Sequence, residues 1–524
     1  MRHTAIPSVL VALLIFVGGC KKDDGGDDWS GQCVEHAASC AGVPARALGS
    51  GTWYTENATC AQIWYVRDGA TGGTGDQSAP FGDLPDAATV AADGDCIALS
   101  AGAYSGATLS GGVSLLGAGA GVSTISTTGT AVLALVNGAG ALVRGVQLTG
   151  GLVGLYTSDA SQLTVESVLV NAVQRIGVQI VGGADITLRQ LRIADLLLAP
   201  GDDAAVGLTS IDAQGLFVES VLVENNPGSG IIVRDGDIWV RDSVIRNNDG
   251  YGIAGSCPGC TSTRPQVILH NNLVQGNELV GIWLMSVDAE VRDNLVADTR
   301  NAQVPGSPPT SRQIETNNVP VLELFDNQLD LGEDIGVLLH ESSGELGGNV
   351  ISNHGGRGIW AQNIAGTNPS SFLLTDNEVV GNREVSVGLK GDCDVTISGG
   401  VVSDTQDKPI VVEGHSSVVG DGVQALTDTI LDVQTVTFDA NGRTGILVDG
   451  AVDATVTNSQ FGESDVDAIV VQNVSWDPFD SISGNTGTGG VQIGYTEFTS
   501  PTDFLAWDPF DMPAGWDPFD SVPQ

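Results

Sequence analysis

The chain has 524 residues, 42% of them apolar and only 5% aromatic, with 71 glycines; it can bury a sizeable core, and the mix suits short strands and turns better than a helical bundle. Its formal net charge is −42, and its four lysines are Lys21, Lys22, Lys390 and Lys408, which argues against polyanionic partners such as nucleic acid and anionic lipid headgroups. The chain is too apolar and too regular for this charge to mean disorder, so it reads as a soluble acidic surface, with cation binding as the sharper alternative.

Residues 1–19 read as an export signal peptide. Arg2 and His3 open a polar start, and Val9 to Val17 form an apolar run too short for a good membrane span, which needs about 20 residues. Val17-Gly18-Gly19-Cys20 follows and resembles a bacterial lipobox, in which small residues admit the peptidase and the cysteine thiol takes the lipid. The resemblance implies a mature chain that starts at lipidated Cys20 and meets a membrane through that lipid. Residues 20–32, with Lys21-Lys22-Asp23-Asp24-Gly25-Gly26-Asp27-Asp28, read as a charged tether. Residue 21 is Lys rather than Asp, so the familiar inner-membrane retention signal of such lipoproteins is missing. The expected place is the bacterial outer membrane, with exposure at the cell surface.

Residues 33–61 form a small segment holding Cys33, Cys40 and Cys60; with Cys96 they lie where disulfides would staple an N-terminal cap in an oxidising compartment. Cys257-Pro258-Gly259-Cys260 resembles a redox dithiol or half a zinc site. No βαβ pattern surrounds it and no second CxxC or His pair follows, so a disulfide-pinned loop is expected. Cys393 is left over.

Internal repetition is the strongest signal. A small residue, usually Gly, precedes Ile, Val or Leu at the head of a short alternating strand, as in Gly230-Ile231-Ile232-Val233, Gly281-Ile282-Trp283-Leu284 and Gly445-Ile446-Leu447-Val448. That small residue falls at 131, 154, 177, 207, 230, 252, 281, 336, 358, 386, 409, 445, 468 and 490, most often in steps of 22 or 23. Longer steps hold loops such as Val304-Pro305-Gly306-Ser307-Pro308-Pro309. Each step contains two or three runs too short for helices. One unit cannot bury its apolar face, but stacking pairs every strand with its equivalent one step on, which predicts an all-β parallel solenoid. Asn226, Asn248, Asn277, Asn382 and Asn441 each lie four residues before the small residue. Asn tolerates left-handed backbone, and stacked amides would form an asparagine ladder. His354 holds the same place and is expected to stand in for Asn.

This pattern resembles right-handed parallel β-helix proteins, the pectin-lyase-like group, over residues 62–500. The resemblance implies a right-handed parallel β-helix (solenoid) of roughly 14 coils with an N-terminal cap. The opening is similar too: Tyr65-Val66-Arg67-Asp68-Gly69, a helix predicted from Leu84 to Ala92, Asp93-Gly94-Asp95-Cys96-Ile97-Ala98-Leu99, and Val113 to Gly119. A cap is needed because an exposed sheet edge invites aggregation. At the far end, Trp476-Asp477-Pro478-Phe479-Asp480 recurs at 507–511 and 516–520. The tail 501–524 reads as a cover for the last coil, or as an aromatic docking motif for sugar or a partner.

Many proteins of this resemblance cleave acidic polysaccharides, by paired carboxylates or by a base aided by Ca²⁺ or Arg. The Asn-Thr-Asp, Gly-His-Gly and Arg-Ile-Lys set of polygalacturonases is absent here; Gly414-His415-Ser416 lacks the second glycine, and Gly201-Asp202-Asp203 stands alone. No cofactor is expected. Asp235/Asp237, Asp392/Asp394 and Asp465/Asp467 are the pairs a Ca²⁺ ion would suit, yet aspartates are common in turns. His270, His340 and His415 share no spacing. The reading is a surface-anchored, non-catalytic β-helix for adhesion or for binding glycans or surface proteins. A polysaccharide lyase or glycoside hydrolase is the alternative, and a structural spacer the third.

Overall fold

The computed structural model describes residues 51–498, except 56–57, 203, 261–262, 301–310, 364–368, 413–414, 465–466 and 479–480. Short runs of alternating apolar residues pair in parallel with the equivalent run of the next repeat, and the result is three long parallel sheets. The first has 17 strands, from Ile63–Val66 to Ile482–Ser483; the second has 16, from Gly102–Ser105 to Thr486–Gly487; the third has 16, from Ala107–Ser110 to Thr496–Phe498. From Cys96–Leu99 onward the chain visits them in that order in every coil. One inserted antiparallel hairpin, Lys408–Val412 with His415–Val419, interrupts the winding.

The alternation decides what faces inward. In the strand Ala184–Arg189, Ile186 and Leu188 are 1% exposed while Asp185 and Arg189 face water. Such residues join into one continuous core from Val66 to Ile482. Each fully buried Val, Leu or Ile side chain contributes about 1.5–3 kcal/mol, so the stack is stabilised along its length rather than at one centre. At the N-terminal end a short helix, Leu84–Ala88, buries Leu84 and Ala87 against the first coils. Asp83 caps it, and its Oδ1 accepts from the Leu84 and Ser105 amides at 2.8 Å each. The helix stops at Ala88 rather than Ala92, where β-branched Thr89 and Val90 weaken it.

The register corrects the repeat in four places. Among the described residues there are 16 or 17 layers by sheet, more than the 14 expected. Val153 pairs with Ala131, so Val132, not Ala131, matches Gly154. Val387 pairs with Val423, so Gly422 holds the signature place and Pro409 lies in the inserted hairpin. Val470 pairs with Thr496, which puts Gly494, not Gly490, in line with Ala468. The long step from Gly281 to Gly336 hides a whole coil whose signature residue is Gln313, since Ile282 pairs with Ile314 and Ile314 with Val337.

The exception at Gln313 has a physical reason. In other coils a Cβ on the signature glycine would meet the ladder side chain of the next coil, as at Gly230 (Asn248 Nδ2, 3.1 Å) and Gly358 (Asn382 Nδ2, 2.8 Å). Here the next ladder position is Gly332, which has no side chain, and the Gln313 amide fills the space, lying 3.3 Å from where a Gly332 Cβ would sit. Signature and ladder residues have exchanged sizes.

Candidate functional site

Two rows of buried amides run along the turns. Between the second and third sheets, Asn226 Nδ2 donates to Asn248 Oδ1 and Asn248 Nδ2 to Asn277 Oδ1, both at 2.9 Å. The row then changes residue type. His354 Nδ1 meets Asn382 Oδ1 at 2.9 Å, and Thr405 Oγ1 donates to Asn441 Oδ1 at 2.6 Å. Asn382 and Asn441 therefore stack on His and Thr, not on one another. The left-handed backbone belongs to the residue before each ladder position, with φ of 55° at Asn225, 53° at Asn247 and 59° at Asn353.

A second, longer row lies between the first and second sheets and was not anticipated. Asn272, Asn294, Asn327, Asn349 and Asn377 each pass an amide hydrogen bond to the next at 2.9–3.0 Å. Each Nδ2 also donates to a backbone carbonyl, such as Asn294 to Leu269 O at 2.8 Å. The signal was a left-handed Asn, Asp or Gly, then Asn, then a strand: Asn271-Asn272, Asp293-Asn294, Asp326-Asn327, Gly348-Asn349, Asp376-Asn377. The asparagines of both rows are engaged inside the fold and offer nothing to a ligand.

Cys257 and Cys260 are joined, with Cα atoms 5.4 Å apart, and Cys60 is joined to Cys96 at 5.5 Å. Asp235 lies close enough to the Cys257 and Cys260 sulfurs to suggest a metal set, but sulfurs in a disulfide have no thiolate to give. Cys393 is buried and free, and burial pushes its thiol up to about 12. Asp235 pairs with Arg234 at 3.3 Å, and Asp237 accepts from the Gln266 amide at 2.8 Å, so both serve their turn. Asp392 and Asp394 are exposed at a strand start. Asp202 pairs with Arg175 at 2.7 Å. Cys20, Cys33, Cys40, Asp203, Asp465, the tail and the side chain of His415 lie outside the described residues.

Two places gather chemistry-bearing side chains. The first is a charged cluster at the heads of third-sheet strands. Arg312 meets Glu315 at 2.9 Å, Arg443 Nε meets Asp421 at 2.7 Å, and Glu384 lies between Arg357 (3.5 Å) and Lys408. Arg357 also stacks 3.9 Å over the Trp360 ring. Burial, and then the negative charge of Glu384, raise the Asp334 carboxyl to about 6 against the pull of Arg312, Arg357 and Lys408.

The second is the outer face of the first sheet. Phe217 pairs in register with Trp239, and Trp239 with Ile268. The two rings stack at 4.7 Å and 13°, with Phe217 42% exposed. A parallel column of charges flanks them. Arg189 pairs with Glu166, Glu219 with Arg241 at 2.7 Å, His270 with Glu290 at 3.1 Å, and Arg292 with Glu290 at 2.7 Å. Arg292 also lies 4.4 Å over the Phe325 ring. The face is flat, with an apolar strip at its middle and hydrogen-bonding groups along its edge.

Residues 125–302 match the family described as the right-handed β-helix region. The chain folds as a right-handed parallel β-helix. No curated protein matches its sequence. Similar solved structures include the catalytic domain of a GH87 α-1,3-glucanase, at 9% identity over 75% of this chain and 63% of that one, with a TM-score of 0.35. The A-module of the Azotobacter vinelandii mannuronan C-5 epimerase AlgE6 is 15% identical over 80% and 93%, with a TM-score of 0.29. The periplasmic alginate epimerase AlgG is 14% identical over 64% and 78%, with a TM-score of 0.31. The β-helix thus spans less than two thirds of the glucanase domain. Likenesses this distant concern the path of the backbone and transfer no active-site residue.

Proposed function

We propose that this β-helix is a surface-anchored binding protein, tethered through lipidated Cys20, that takes glycan chains along the outer face of its first sheet without cleaving them. The observation that carries this is the stacked pair of exposed Phe217 and half-buried Trp239 beside a column of paired charges. A sugar presents an apolar face to an aromatic ring and hydroxyls at its edge. The strip and the charged column offer both, and successive strands about 4.8 Å apart repeat the arrangement along a polymer. The negative net charge favours a neutral glycan over a polyuronate.

The test is retention on a glycan panel. The intact protein is expected to bind a neutral glycan, and a variant with Phe217→Ala and Trp239→Ala to lose at least tenfold in affinity, about 1.4 kcal/mol. Because both side chains point outward, its thermal unfolding should stay unchanged. Equal binding by both proteins removes this face from the proposal.

A second reading, a polysaccharide-degrading enzyme, rests on Asp334. A carboxyl that keeps its proton to about pH 6 beside Glu384 and three cations has the makings of a general acid. In the same panel, new reducing ends or unsaturated-uronate absorbance, abolished by Asp334→Asn, would replace the binding reading with this one.

A further inference from the structure

The outer face of the third sheet differs from that of the first. Its side chains point away from the core, yet they are buried: Trp283 and Leu338 are 3% exposed, and Trp360, Leu447 and Val470 are 0%. They form clusters of their own, separate from the interior. Outward side chains on a flat sheet reach such burial only beneath a cover. Among the described residues none of the three sheets is layered there, and the inserted hairpin meets its edge, where Lys408 bonds Glu384. Charged residues of both signs stand along the same face. Arg234, Arg312 and Lys390 lie on third-sheet strands and Arg357 and Arg443 just ahead of two of them, with Asp235 beside Arg234, Glu315 beside Arg312, Glu384 beside Arg357 and Asp421 beside Arg443.

We propose that the C-terminal segment 499–524 folds back along this face, with its Trp and Phe side chains on the apolar stripe and its aspartates turned outward, within reach of Lys390. The last described strand, Thr496–Phe498, belongs to the third sheet, so the segment starts at one end of the face. Eleven strand spacings lead back to the strand Val206–Ile211, about 53 Å. An extended segment of 26 residues reaches about 85 Å. Its composition complements the surface: Phe504, Trp507, Phe510, Trp516 and Phe519 with Asp503, Asp508, Asp511, Asp517 and Asp520, and no basic residue. The loops 301–310 and 364–368 carry neither aromatic nor acidic residues. Prolines 501, 509, 513, 518 and 523 keep the segment from extending a sheet edge as a strand.

The chain already uses the motif in this manner. In the first Trp-Asp-Pro copy, Trp476 packs against the core and its Nε1 donates to Ala451 O at 3.0 Å. An indole followed by Asp-Pro is thus a clip onto the neighbouring coil, and the two later copies extend the device along the outside.

Zero-length carbodiimide cross-linking of the full chain tests this, because Lys390 is on the face and lysines are few. The expected result is a bond from Lys390 to a carboxylate among Asp503, Asp508, Asp511, Asp517 and Asp520. In an equal mixture of light and heavy isotope-labelled protein it should join segments of one molecule only. Full-length protein with Trp507→Ser and Trp516→Ser should lose that bond and take up several times more of an apolar fluorescent dye. The proposal fails if Lys390 joins only carboxylates of the coils or of Asp23 to Asp28. It fails equally if the bonds are mixed-isotope, which would make a second copy the cover, or if the double variant takes up no more dye.

Discussion

Asn327→Ala is expected to lower the unfolding free energy by about 3–5 kcal/mol, among the largest losses a single side chain can cause here. Asn327 is 1% exposed, and its amide serves six hydrogen bonds with its backbone N–H included. Its Oδ1 accepts from the backbone N and Nδ2 of Asn294, both at 3.0 Å. Its Nδ2 donates to Val291 O, Phe325 O and Asn349 Oδ1 at 2.8, 2.9 and 3.0 Å. Alanine keeps the backbone bond to Asn349 but strands the Asn294 backbone N–H, leaves Asn294 Nδ2 with only Leu269 O and Arg292 O, and takes a donor from Val291 O and Phe325 O in a dry turn; an unmade buried hydrogen bond costs about 1–3 kcal/mol. Valine and leucine hold the equivalent place at Val168, Leu191 and Val221, but in coils whose neighbours lack amides in need of a partner. Denaturant unfolding should show the loss. Amide exchange should quicken most in the strands on either side, Asp288–Arg292 and Gly344–Gly347, since coils depend on their neighbours. A loss below about 1 kcal/mol would mean the row is decorative.

His354 should make the fold sensitive to acid. The ring is fully buried, Nδ1 donates to Asn382 Oδ1, and Nε2 has no hydrogen-bond partner among the described residues. Burial lowers its pKa from 6.5 to about 4, with Asn382 and Asp330 opposing. The folded state therefore binds fewer protons than the unfolded chain between about pH 4 and 6.5. Stability from this site is fully present above pH 6.5 and is lost as pH falls toward 4, by about 3 kcal/mol at most. Asp334 acts in the opposite direction over an overlapping window. Its raised pKa makes the folded state hold a proton that the unfolded chain releases, so its contribution weakens as pH rises from about 4 to 6. The difference between proteins isolates the histidine. His354→Asn, which can keep the bond to Asn382, should unfold at the same temperature as the parent near pH 7 and at a higher one near pH 4.5. Parallel curves would show that the ring does not titrate in this way.

Much of the architecture was legible because a solenoid writes its register into the chain. Gly207, Gly230 and Gly252 need to be small for a reason the sequence repeats: each lies against the ladder amide of the next coil. The same logic hid the Gln313 coil, where the small and large residues trade places and the signature is inverted. Pro409 was misplaced because a hairpin of ordinary β-rich sequence, Lys408 to Val419, cannot be told from a coil by composition. The longer asparagine row was missed for a different reason. Its residues precede second-sheet strands that carry no glycine mark, so only the left-handed position ahead of each one gave it away.

The candidate binding face was less legible than the fold. Phe217 and Trp239 are 22 residues apart, the length of one coil, and could be read as neighbours once the register was known. Their exposure could not, since an alternating strand shows which residues share a face but not which face stays uncovered. The charged cluster around Glu384 joins residues from Arg312 to Lys408, and its assembly depends on an inserted hairpin. The covered outer face of the third sheet breaks the simplest expectation of all, that side chains pointing out of a solenoid meet water.

The layered register underlies everything above, and paired cysteines test it most directly. Asp432 and Thr455 are partners on adjacent first-sheet strands, 23 residues apart in the chain. Neighbouring strands lie about 4.8 Å apart, within the span of a disulfide. Asp432→Cys with Thr455→Cys should therefore oxidise to a single intramolecular bond without loss of stability. Moving the second cysteine to Thr457 places it about 8 Å away, too far to join. Ready bonding of the 432–455 pair and none for 432–457 is the result the β-helix predicts; the reverse, or equal bonding by both, would contradict it.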